Sequence, residues 1–210
     1  MLSPRSLQPK VRVRRLMWSL VRIAVASAIG FYAFAGGYLW LKQDSMVYLP
    51  PGQLGFSPSD LGLEYEEAWL PTQDGLRLHG WYVPRPAENS MPDDLGAVLL
   101  YFHGNAENVS NLGYFLARWN AVGFETLAID YRGYGESEGQ PTEEGTYLDA
   151  LAAWEYLMKR GVPAERIVVW GRSLGGAVAS WLASRHTPAA LVLESTFTSA
   201  PDLAADIYPW

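Results

Sequence analysis

The sequence contains no cysteine. That excludes disulfides, a thiol nucleophile and cysteine-ligated metal, and leaves either redox environment open. Histidine is scarce too. The three present, His79, His103 and His186, lie far apart and show no ligand spacing, so no metal centre is read here. No cofactor motif, internal repeat or low-complexity tract is found. Acidic residues are missing from residues 1–42, which carry Arg5, Lys10, Arg12, Arg14, Arg15, Arg22 and Lys42. The other nine basic residues and all 22 acidic ones fall in residues 43–210, a net of −13 there. So acidic a region lacks the basic surface that phosphate contacts require, and nucleic acid is not expected as a partner.

Apolar residues are plentiful at 49% of the chain, enough to bury a core within 210 residues. One stretch stands apart. From Ile23 to Leu41 run 19 residues without a charge, spanning about 28 Å as a helix, close to the hydrocarbon thickness of a bilayer. Tyr38 and Trp40 sit at its far end, where aromatic rings favour the interface. The expectation is a single-pass signal anchor over 23–41. A basic tail, 1–22, would lie in the cytoplasm, and the rest across the membrane, in the periplasm of a bacterium. Cleavage near Ala33-Phe34-Ala35 is an alternative, although the apolar run continues past it. A buried core helix fits poorly with the arginine-rich flank and the absence of a polar face. Arg14-Arg15 alone does not make a twin-arginine signal.

Residues 42–63 read as a Pro/Gly-rich connector, with Pro50, Pro51, Gly52, Gly55 and Pro58. Residues 64–210 then alternate in type. Strands are expected over 64–70 and 76–84, joined by a turn at Gln73-Asp74-Gly75. The continuous apolar run 97–102 reads as a strand buried on both faces. A helix follows over 109–121, with Leu112, Phe115, Leu116 and Trp119 on one face. After a strand at 124–129 comes a helix at 143–160, with Tyr147, Leu151, Trp154, Leu157 and Met158 toward the core. Strand 166–170, helix 174–185 and strand 190–194 complete the pattern. A hairpin followed by strand–helix alternation implies an α/β fold, a mostly parallel sheet with helices on both faces. Ligands in such sheets bind beyond the carboxyl ends of the strands.

Two loops at those ends carry chemistry. Gly171-Arg172-Ser173-Leu174-Gly175 is G-x-S-x-G between a strand and a helix, a sharp turn that lifts a serine hydroxyl above the sheet. Glycine is needed at both ends, where a Cβ would strike the neighbouring strand or helix. Ser173 is the candidate nucleophile, at a helix N-terminus whose dipole favours developing negative charge. An oxyanion hole needs two N–H groups aimed at one point. Leu174 supplies the first and Asn105, in His103-Gly104-Asn105, the second. His103 reads as a structural histidine holding that loop, and His79 as packing within a strand. His186 lies about 18 Å along the helix from Ser173, too far to act as a base. Asp130 and Arg132 read as a local ion pair ordering a glycine-rich loop. Glu194 is a minor candidate for a displaced triad acid.

The order of YFHGNAENVSN, AIDYRGYGESEG, VWGRSLGGAVA and LVLESTFTS resembles the α/β-hydrolase superfamily. More narrowly it resembles the BEM-like branch of membrane-anchored serine hydrolases, from about Gln43 onward and including Met46-Val47-Tyr48-Leu49-Pro50. The resemblance implies a serine esterase mechanism on esters, thioesters or acyl lipids, through an acyl-enzyme on Ser173. In that superfamily the triad runs Ser, acid, His along the chain. Here only His186 follows Ser173, so the triad acid and base are not found, and the domain is expected to be partial and C-terminally truncated. Two strands, two helices and their connections amount to roughly 55 residues, and without them the last strand would present an unpaired apolar edge. The alternative function is a catalytically inactive, membrane-anchored binding protein. A transferase- or haloperoxidase-like use of the same triad is a third.

Overall fold

The computed structural model describes residues 9–86 and 96–207. Arg5 in the basic tail and residues 208–210 lie outside them. The chain divides into two compact units, Met1–Val47 and Tyr48–Trp210.

The first unit is one helix, α1, Pro9–Val47, of 39 residues. Proline suits its first turn, where no backbone donor is needed. The expected span 23–41 lies inside it. From Val13 on, its large apolar side chains stand exposed, Trp18, Ile29, Phe34 and Trp40 among them. Over Val13–Val47 the helix is long and apolar enough to cross a membrane.

In the second unit, β1 (Glu66–Pro71) and β2 (Arg77–Val83) form an antiparallel hairpin. The expected turn closes it, with the Gly75 N–H on the Thr72 carbonyl at 3.1 Å and Gly75 at φ +89°. β3 (Val98–Phe102), β4 (Glu125–Ile129), β5 (Ile167–Arg172) and β6 (Ala190–Glu194) follow. The sheet order is β1-β2-β4-β3-β5-β6, parallel from β4 to β6. All five residues of β3 are buried, as its unbroken apolar run requires of a central strand.

Helices cover both faces. A 3₁₀ turn, Val109–Leu112, leads into α2 (Gly113–Ala121). Leu112, Leu116 and Trp119 pack with Leu99 and Tyr101 on one face of the sheet. α3 (Glu143–Lys159) and α4 (Leu174–Ala183) cover the other face, over Leu100, Phe102, Leu127 and Val169. Each such leucine, fully buried, contributes about 2 kcal/mol. α3 opens with Thr142, whose hydroxyl accepts from the Gly145 N–H at 3.0 Å, and with Glu143 and Glu144 in its positive first turn. Its buried face is turned from the expected one. Asp149, Ala150 and Ala153 join Trp154 and Leu157 inside, while Met158 is exposed. The cause is an ion pair that buries Asp149, described below. α5 (Ala200–Ile207) follows β6. Among the described residues β6 pairs with β5 alone, and Leu191 and Leu193 on it are exposed.

Candidate active site

β5 ends at Arg172 and α4 begins at Leu174. The single residue between them, Ser173, has φ 52° and ψ −116°. A non-glycine residue in that region costs about 1–3 kcal/mol and persists only where its surroundings over-determine it. Here they do. The Ser173 N–H donates to the Glu194 carbonyl at 2.9 Å. The Ser173 carbonyl accepts from the Gly176 N–H at 2.9 Å and from the Thr196 hydroxyl at 3.0 Å. The flanking glycines are needed for contact. A Cβ on Gly171 would run into the Gly175 carbonyl, and one on Gly175 into the Phe102 carbonyl at the end of β3 and the His103 carbonyl just after it. The turn is thereby wedged between α4 and β3, and the serine sits at the N-terminus of α4, whose first N–H groups have no helical partner.

The loop after β3 approaches the same point. A Cβ on Gly104 would stand 3.5 Å from the Ser173 Cβ. Four groups set this loop. His103 Nδ1 lies 2.7 Å from the Gly104 carbonyl. The Tyr131 hydroxyl donates to the His103 carbonyl at 2.9 Å. The Gly104 N–H donates to the Glu107 carboxylate at 3.2 Å. Asn105 Oδ1 accepts from the Leu49 N–H at 3.0 Å and from the Tyr134 hydroxyl at 2.8 Å. Glu107 is also bound by Arg172 at 2.9 Å, so the two loops are bridged by an ion pair.

His103 is fully buried and holds its loop, as the sequence suggests. Its Nε2 faces Asp130 Oδ1 at 3.5 Å. His79, also fully buried, places Nδ1 3.3 Å from Asp130 Oδ2 and Nε2 2.5 Å from Glu67 Oε2. The Val109 N–H adds a 2.8 Å bond to Asp130. Burial alone would raise the Asp130 carboxyl, but the neighbouring imidazoles of His103 and His79 and the Val109 N–H outweigh it and hold it below the usual carboxylate range. Burial likewise opposes charge on His79, yet Asp130 and Glu67 together raise it above its ordinary value.

The expected pairing of Asp130 with Arg132 is therefore corrected. Asp130 is bound by His79 and the Val109 N–H, with His103 Nε2 3.5 Å from its other side. Arg132 instead donates from Nε to Asp149 at 2.9 Å and from its outer nitrogens to Asp74 at 2.7 and 3.2 Å. Gly145 leaves room for this guanidinium, since a Cβ there would strike it. The glycine-rich loop is still tied down by Arg132, but to α3 and to the β1–β2 turn.

His186 lies beyond the end of α4, stacked on Trp154 at 4.9 Å. Glu194 accepts from the Trp170 indole at 3.1 Å and faces Arg172 at 3.7 Å. Sequence reading missed Glu107, Tyr131, Tyr134 and Thr196, none of which lies at a spacing that marks a role. Chemically, the site offers a serine hydroxyl on a strained turn, a helix N-terminus and a rigid loop beside it. That geometry suits attack on a carbonyl whose oxygen becomes negative.

A family model described as the alpha/beta hydrolase fold matches residues 97–210. The chain is 37% identical over 195 residues to the alpha/beta hydrolase domain-containing protein WAV2 of Arabidopsis thaliana, covering 86% of this chain and 62% of that one. It is 32% identical over 203 residues to protein bem46 of Schizosaccharomyces pombe, covering 92% and 67%. An uncharacterized membrane protein of Saccharomyces cerevisiae is 30% identical over 206 residues, with 92% and 69% covered. Among solved structures, an alpha-beta hydrolase from Vibrio vulnificus is similar with a TM-score of 0.57 and 28% identity, over 67% of this chain and 48% of that one. A Pyrococcus furiosus esterase is similar with a TM-score of 0.50 and 26% identity, over 63% and 49%. The chain thus spans 62% of the first of these relatives.

Proposed function

The chain belongs to the α/β-hydrolase family, in the branch that holds bem46, and from that membership we propose that the whole protein is a serine hydrolase of acyl esters or thioesters. The observation that carries this reading is the Ser173 turn, held at φ 52° between β5 and α4. The esterase among the similar structures supports the same class.

In the proposed reaction, a base takes the proton of the Ser173 hydroxyl as its oxygen attacks the acyl carbonyl. The tetrahedral oxyanion rests on the backbone N–H groups of Leu174 and Asn105. Collapse expels the alcohol or thiol with a proton and leaves an acyl-serine. Water then releases the acid and restores the hydroxyl. The test is a fluorophosphonate probe on the full chain. Covalent labelling that vanishes in Ser173→Ala is the expected result. Labelling that survives that substitution would falsify the assignment of the nucleophile.

The second reading is a non-catalytic binding protein, and whole wild-type protein that folds but takes no label would select it.

We also propose that α1 anchors the protein in a membrane, with its basic end cytoplasmic and the α/β unit on the far side. A relative called a membrane protein supports the anchor, and the run of arginines before Ile23 supports the orientation. The cysteine-free sequence gives a clean background for testing it. A cysteine at Ser6 should react with an impermeant maleimide only from the cytoplasmic side, and one at Ser59 only from the other. Labelling of both from one side overturns the orientation.

A further inference from the structure

The segment between α1 and β1 contributes no group to the proposed chemistry, yet its first residues close on the Asn105 loop. Tyr48 is 7% exposed and packs in the core cluster that holds Tyr131 and Tyr134. Leu49 turns its side chain to solvent at 55% exposure. What it gives the fold is its N–H, donated to Asn105 Oδ1. The Pro51 carbonyl then accepts from the Gly135 N–H at 3.0 Å. Further along, the Gln53 carbonyl accepts from Asn108 at 2.9 Å, and the Gly55 N–H donates to the Ser110 hydroxyl at 2.8 Å. The consecutive prolines 50 and 51 have fixed φ values, so this strap is stiff where it touches the loop.

Three donors converge on the one oxygen: the Leu49 N–H, the Tyr134 hydroxyl, and the Ala106 N–H at 3.0 Å. Ala106 itself has φ 55°, a conformation that alanine adopts only under constraint. The residue at the centre of this clamp is the one whose backbone N–H is the second proposed oxyanion donor. An N–H in that role is useful only if its direction is set before the reaction, because a displacement of about 1 Å costs on the order of 100-fold in rate.

We propose that residues 48–51 are a positioning strap for the oxyanion hole. The Asn105 side chain is the handle, and Leu49 and Tyr134 are the positioning residues that grip it. The proposal rests on the serine-hydrolase reading above and deepens it. It makes the backbone immediately after the apolar helix a working part of the site.

The test uses the full chain and a fluorophosphonate probe, whose phosphonyl oxygen occupies the oxyanion position in its adduct. The variants are Leu49→Pro, which removes the N–H, Tyr134→Phe, which removes the hydroxyl, and Asn105→Ala, which removes the handle but leaves the backbone donor. Each is expected to lower the maximal inactivation rate by about 10-fold or more, with the probe's binding constant unchanged and a cooperative unfolding transition retained. Tyr134→Phe combined with Asn105→Ala should lose no more than Asn105→Ala alone, because both act through one atom. Variants that react at the wild-type rate, or losses that simply multiply in the double variant, overturn the strap while the hydrolase reading stands. Labelling that survives Ser173→Ala, or whole wild-type protein that folds but takes no label, removes the hydrolase reading and the strap with it.

Discussion

The two apolar helices meet opposite fates. α1 runs for 39 residues, and none of its apolar window is buried by the protein. α4 runs for 10 residues, and Gly175, Gly176, Val178, Ala179 and Leu182 of it are buried against β3, β5 and β6. Composition alone does not separate them. Length does. Only α1 is long enough for a bilayer. α4 is short and rich in small residues, which allows its backbone to touch the sheet. The two helices work on different partners. α4 uses close packing to hold one strained serine, whereas α1 offers side chains to a surrounding medium and asks nothing of its neighbours' shape.

The largest expected effect breaks α1's side of the contrast. Ile29→Arg with Tyr32→Arg should disfavour insertion by about 6 kcal/mol. With α1 as the proposed anchor, the protein should leave the membrane pellet, while the unfolding transition of the α/β unit stays where it was. Glycine sharpens the contrast next. Gly175→Ala forces a methyl into the carbonyls at and just after the end of β3 and should cost about 3 kcal/mol in chemical denaturation. Gly36→Ala in α1, with nothing within 4 Å of the new carbon, should instead favour the helix, by about 1 kcal/mol or less. If the two substitutions cost the same, α4 is not packed as described.

A smaller effect has the opposite sign. Ser173→Gly should stabilise the α/β unit by about 1 kcal/mol, because glycine occupies φ 52° without strain. Loss of labelling together with a higher melting temperature is the expected pair of results.

The smallest effect is in the pH profile. Asp130 is held below its ordinary value of 3.8. Its contribution is present above that pH and is lost as pH falls through the folded value. His79 is raised above 6.5. Its contribution is complete below that pH and is lost as pH rises through the folded value. Stability should therefore be greatest between the two. Glu67→Gln should move the upper limb to lower pH, read by thermal unfolding across a pH series. An unmoved upper limb would show that Glu67 does not support the charge on His79.

Much of this was legible in the sequence because it is local. Strand and helix periodicity needs only neighbours within a few residues, so all six strands and the α2, α3 and α4 segments could be read directly. The same holds for the apolar run in α1 and for the turn at Ser173, where a glycine two residues to either side records a contact that admits no side chain. The face of α3 was misread at Met158 for a reason the periodicity does not contain. A buried arginine from another loop draws Asp149 inward.

What the tertiary structure alone decided is partnership. Arg132 meets Asp74, 58 residues away, rather than Asp130, two residues away. Asp130 is shared between His79 and His103, and Leu49 reaches Asn105 across 56 residues. A residue's spacing along the chain shows which element it occupies. The partner of a charge or a hydrogen bond depends on which loops the parallel sheet gathers at its carboxyl edge. That is set by strand order, β1-β2-β4-β3-β5-β6, which arises from packing across the whole sheet and leaves no mark at any single position.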